Sequence, residues 1–251
     1  MFAAVTHGCK AGRHQEVLDE VYYPRIMHDN QKNFCFRNLG AIGADTAVLA
    51  NFFTKLWDEP INSLTTHDRI DVVGWAGNRL SALGQLAGAY QAFQSVLVAK
   101  IKMKDWKNGA IAAGNLGDLV TIMGDLIQAL NFADQSINLS NLGGDSFDKM
   151  AGLAIRANAL HLSGRLSEAE TDFDKAEWVQ QRIQPQFSFL YSQAGFHYSD
   201  LLLSKGHYQE VLRRANQTLQ WATQVGAGLL SFALDHLSLG RAITAAIRKF
   251  I

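Results

Sequence analysis

Over most of the chain, apolar residues recur at the i, i+3, i+4, i+7 spacing of amphipathic helices, and glycines interrupt them at even intervals. The glycines are Gly84, Gly124, Gly164 and Gly206, about 40 residues apart. A fixed period of roughly 20–50 residues is the mark of stacked repeats. The surroundings of each glycine repeat in kind. Seven residues earlier stands a small residue (Gly77, Gly117, Ala157, Ser199), and four earlier an aliphatic (Leu80, Val120, Leu160, Leu202). Five residues later come Ala89, Ala129, Ala169 and Val211, and nine later Phe93, Ala133, Phe173 and Ala215. Glycine suits a turn that needs positive φ, small residues let two helices cross closely, and the larger apolar residues fill the seam. The pattern predicts helix pairs over 67–82 and 86–101, 106–122 and 125–141, 146–162 and 166–181, and 187–204 and 207–224. Thr65, Thr66, Asp68, Asp145 and Ser146 supply start signals.

The rest of the chain departs from the period. Residues 1–28 read as a short hairpin turning at Gly12. Residues 29–66 hold a predicted helix over 38–56, ended before Pro60 and crowded by Phe34, Phe36, Phe52, Phe53 and Trp57. Two roles fit that insert: aromatics closing the end of the apolar strip, or an exposed aromatic patch for a partner. A last helix, 228–248, carries Leu230, Ala233, Leu234, Leu237 and Ile243 on one face. Neither end shows ordinary capping sequence, so the chain reads as a segment of a longer array. The expected organisation is 1–66 as a divergent first repeat, 67–225 as four hairpins and 226–251 as an unpaired helix, all in one solenoid.

The repeat resembles the tetratricopeptide family, best in NLGDLVTIMGDLIQALNFADQSI and RANALHLSGRLSEAETDFDKA, over Asp68 to Val225. Its period exceeds the ~34 residues usual there, and the frequent proline after the second helix is missing, with only Pro185 near such a place. The resemblance implies an all-α, right-handed superhelical solenoid of antiparallel hairpins, acting as a non-catalytic scaffold that holds a peptide or partner helix on its concave face. The phrases EVYYPRI, DWKNGAIAAGNLGDL and LDHLSLGRA are also similar to the helical arrays of bacterial signalling ATPases of the STAND type, which would make the chain a sensor segment of a bacterial, cytoplasmic protein.

Six residues before each turn glycine stand Asn78, Asp118, Asn158 and Asp200, a ladder of short polar side chains at the repeat period. The resemblance places this ladder on the concave face, where an amide pairs with a peptide group that would otherwise lose water. Arg79, Asn115, Arg156, His161 and His197 lie nearby in sequence. Two ladder places are acidic, which disfavours a carboxylate ligand and suits a basic or amide-rich segment. The other reading of the ladder is an idle solvated face.

Composition narrows the partners. Lys+Arg and Asp+Glu both number 23, so the basic surplus that nucleic acid or an anionic membrane surface demands is missing. No apolar run reaches the ~18–20 residues of a membrane span. Cys9 and Cys35 lack metal-ligand spacing and are expected as reduced thiols of a cytoplasmic chain. No phosphate loop, GxSxG or HExxH is present, and Gly143-Gly144-Asp145 lacks the following GK[ST]. Neither an enzyme, a cofactor nor a metal is expected. Two other classes stay open: a small-molecule sensor with a closed aromatic pocket around Trp75 and Phe196, and a homodimer joined through the terminal helices.

Overall fold

A computed structural model describes residues 1–28 and 34–248, apart from the side chain of Arg248. The start of the 29–66 insert and the final residues 249–251 therefore lie outside the described residues. The chain divides into two compact units, 1–104 and 105–251.

The first unit opens with α1 (Phe2–Lys10) and α2 (His14–Val17), turning at Gly12. From Leu18 to Met27 the helix widens into π-helical turns that contain Pro24. Proline has no N–H to give the helical ladder, and a wider turn accommodates its ring. Then follow α3 (Phe34–Arg37), α4 (Ile42–Leu49), a single 3₁₀ turn at Ala50–Phe52, and a two-stranded antiparallel hairpin of β1 (Phe53–Lys55) and β2 (Glu59–Pro60). The helix expected over 38–56 is thus shorter. Asn51 turns its amide back onto the carbonyls of Ala47 and Val48, and the chain then extends so that Phe52 and Phe53 reach the core. The insert's aromatics pack inward: Tyr22 lies 5.6 Å from both Phe52 and Trp75, and Phe53 lies 5.3 Å from Trp57. The unit ends with the hairpin of α5 (Thr66–Ala82) and α6 (Leu86–Lys102).

The second unit is helical throughout: α7 (Trp106–Ile122), α8 (Leu126–Gly143), α9 (Ser146–Leu162), α10 (Leu166–Ile183), α11 (Ser192–Ser204), α12 (Tyr208–Val225) and α13 (Leu229–Arg248). Asp105, Asp125 and Asp145 cap helices by accepting from the backbone N–H three residues on. Gly124, Gly164 and Gly206 take φ of +85°, +77° and +78° at the hairpin turns. The repeat positions fill the core: Ala129, Ala157, Ala169, Phe173 and Val211 are fully buried. α13 packs against α11 and α12 as α9 packs against α7 and α8. Among the described residues it has no second helix of its own.

One boundary differs from expectation. α11 begins at Ser192 rather than near 187, because the segment after Pro185 is held extended by α10. Buried Gln180 donates to the carbonyls of Phe187 and Phe189, Gln181 donates to Ser188 O at 2.9 Å, and Glu177 accepts from Leu190 N at 3.1 Å. These side chains satisfy backbone groups that a helix would otherwise pair.

Candidate functional site

The first helices of the hairpins in the second unit, α7, α9 and α11, bring together most of the polar ladder. Asp118 near the end of α7 accepts from Gln193 Nε2 at the start of α11, at 3.0 Å, across the intervening α9. The bond links the first helices of the first and third hairpins of this unit. Burial pushes the Asp118 carboxyl up to about 7, only partly offset by the bond from Gln193.

Asn158 lies on the central helix. It is 5% exposed, and no hydrogen bond from the described residues engages its amide. Its amide is not among the buried polar atoms that lack a partner, so the small exposed part of the side chain includes the polar end, where a ligand can replace water. Asn115, half-buried on α7, likewise has no side-chain partner among the described residues.

Beside them, His161 of α9 lies near Asp200 and Arg241, and His197 of α11 lies near Asp200 and His161. Burial lowers both imidazoles, His197 to about 4, against a smaller opposing pull from Asp200. His161 Nδ1 and His197 Nε2 are buried without a hydrogen-bond partner among the described residues. Asp200 is ion-paired with Arg241 of α13, whose guanidinium also stands 5.9 Å from the ring centre of Phe196. The surface therefore offers neutral imidazoles, amides and a weakly acidic carboxyl, and the Arg241 cation beside it is already paired. Sequence spacing missed Gln193 and Arg241, since neither occupies a repeat position of the ladder.

Comparison with solved structures bears on the fold. The chain is similar to the nearly identical TPR-like repeats of a Podosopora anserina kinesin light chain and to a point variant of those repeats. For the variant the identity is 16%, the TM-score 0.51, and the match covers 74% of this chain and 90% of that one. The unaltered repeats give 16%, 0.50, 72% and 88%. The apo form of RapI matches over 99% of this chain and 93% of its own, at 10% identity and a TM-score of 0.55. The fold is tetratricopeptide-like. No family model matches the sequence, and no curated protein matches it. The resemblance to signalling ATPases rests on the sequence phrases alone.

In this tetratricopeptide-like frame the remaining expected residues lie elsewhere. Asn78 and Arg79 belong to α5 in the first unit. Asn78 spends its amide on Gly74 O of its own helix, at 3.0 Å. Arg79 is fully buried, donating from Nε and Nη2 to Asp45 Oδ2 at 2.9 and 2.6 Å and from Nη1 to Trp75 O, with Phe36 beneath it. It is a core ion pair and not a groove residue. Arg156 bridges Asp172 and Asp134 in a cleft of about 410 Å³ between α8, α9 and α10. No helix of the described residues is long and apolar enough to cross a membrane. Among them no group of three or more His, Cys, Asp or Glu is placed to hold a metal ion.

Proposed function

We propose that the chain is a non-catalytic interaction scaffold whose second unit takes a peptide or a partner helix against α7, α9 and α11. The carrying observation is Asn158, almost wholly buried at the centre of the inner face with its amide unengaged by the described residues. An extended peptide supplies both a carbonyl and an N–H to such a group. Asn115 and Asp118 extend the polar strip along α7, and the neutral faces of His161 and His197 add donors and acceptors on the other side. With Arg241 held by Asp200, this face favours ligand segments that are amide-rich or basic over free carboxylates.

The test is capture from a bacterial lysate by the wild type and by Asn158→Ala, with bound peptides and metabolites identified by mass spectrometry. The expected result is a peptide or protein held by the wild type and weakened about fivefold in the variant, equivalent to ~1 kcal/mol, at an unchanged melting temperature. Equal capture by both proteins sinks the reading. Retention of a metabolite alone replaces it with a small-molecule sensor.

A further inference from the structure

The α9–α10 hairpin carries charges where other hairpins carry core residues. Eight positions before the turn glycines stand Ala76, Leu116, Arg156 and Tyr198, and eight after them Ala92, Phe132, Asp172 and Arg214. Ala76, Leu116 and Ala92 are buried apolar residues. At the same two places α9 and α10 hold a guanidinium and a carboxylate. The last of these positions, Arg214, is also a cation, but it is closed in: Glu177 and Glu210 pair with it, and the rings of Phe189 and Tyr198 stack on it.

Arg156 and Asp172 are not closed in. They line a cleft of about 410 Å³ between α8, α9 and α10, together with Leu130 and Leu160. That volume is in the range of small-molecule sites. A guanidinium has five N–H donors. Asp172, nearly buried, takes two of them, from Nε at 2.7 Å and from Nη2 at 3.1 Å. Asp134 takes one more, from Nη1 at 2.6 Å. The other two, one on Nη1 and one on Nη2, have no partner among the described residues. Lys175 lines the same cleft, more than half exposed, and contacts Asp172 at 3.3 Å.

The two acids hold Arg156 unequally. Asp172 is buried and bidentate, whereas Asp134 is 52% exposed, and an ion pair so placed gains little over water. An oxyanion entering the cleft displaces Asp134 from Nη1 and gains the two idle N–H groups and the Lys175 ammonium besides. With Asp134 turned away, the cations Arg156, Arg165 and Lys175 face only Asp172 and Glu168, which leaves one positive charge for the ligand. A guanidinium fork matches the oxygens of a carboxylate or a phosphate. Leu130 and Leu160 add apolar surface for the body that carries that group.

We propose that this cleft binds a small organic oxyanion, a carboxylate or phosphate on an apolar body, through Arg156 and Lys175, and that Asp134 is the group the ligand displaces. Neither Asp118 nor Asn158 lines the cleft, so the site stands whether or not the inner face takes a peptide.

The test is calorimetric titration of the full chain with benzoate, phenyl phosphate and inorganic phosphate at one low ionic strength. Benzoate or phenyl phosphate should bind at one site per chain, the tighter of the two naming the head group, and inorganic phosphate should bind more weakly than either. Lys175→Gln should weaken the binding roughly fivefold. Asp134→Asn, which removes the competitor, should tighten it by up to about fivefold. Both changes are on exposed side chains and leave the buried pair in place. The double change Arg156→Gln with Asp172→Asn removes the guanidinium without stranding a buried charge and should abolish binding. No saturable binding of either organic anion overturns the proposal. So does binding that Lys175→Gln and Asp134→Asn leave unchanged, which puts the anion elsewhere, or equal affinity for inorganic phosphate, which removes the apolar body from the site.

Discussion

Asp118 and His197 sit on inner helices of the same unit, and burial acts on them in opposite directions along the pH axis. The folded carboxyl titrates near 7 against an ordinary 3.8. Between those values the native state binds the extra proton, so this group adds stability as pH falls. The folded imidazole titrates near 4 against an ordinary 6.5. There the unfolded state binds the extra proton, so the neutral imidazole's contribution is lost as pH falls from 6.5 toward 4. Two single variants separate the effects in thermal melts. Asp118→Asn should stabilise by ~2 kcal/mol at pH 8, allowing for partial exposure, with the gain fading toward pH 4. His197→Gln should flatten the acid limb below pH 6.5. Melting curves parallel to wild type at all pH values would remove the burial argument. In the first unit, Arg79→Met leaves Asp45 buried with Tyr22 Oη still donating to it, at 2.9 Å. The expected cost is about 3–5 kcal/mol in chemical denaturation. A triple change with Asp45→Leu and Tyr22→Phe should recover most of it. A loss under ~1 kcal/mol in Arg79→Met alone would show that the pair is not what holds this core together.

At the scale of the element, the hairpins were legible because their signals are local. A glycine at positive φ, a small residue seven before it and an alanine or valine five after it each follow from backbone geometry or close approach. Gly77 is the sharpest case. A Cβ there falls 2.7 Å from the Phe93 ring, so Gly77→Ala should cost about 1–3 kcal/mol by forcing that ring aside, whereas alanine at Gly74, 3.7 Å from Val96, should be tolerated. Comparable losses at both positions would mean that the crossing is less tight than the structure has it. What the sequence hid depends on distant side chains. The late start of α11 depends on Gln180 and Glu177, a turn or more back in α10. The break after Leu49 depends on where Phe52 and Phe53 find a core, and helical periodicity says nothing of that.

Across the whole molecule, periodicity carried the architecture further than it carried the site. Of the ladder, Asp118, Asn158 and Asp200 lie on α7, α9 and α11 of the second unit, with His161 and His197 on α9 and α11, while Asn78 and its neighbour Arg79 lie on α5 of the first. Arg79 shows why spacing alone misleads. It neighbours the ladder in sequence, but one residue along a helix is a turn of about 100°, enough to send a guanidinium into the core. Gln193 was invisible for the opposite reason, since its importance comes from reaching a carboxylate 75 positions away.

That reach has a mechanical meaning. The Gln193–Asp118 bond runs between the outer two of three inner helices, like a string between the tips of a bow, with α9 as the stave. A ligand that takes the Gln193 amide must therefore displace the Asp118 carboxyl from it, so filling this strip and keeping α7 linked to α11 exclude each other.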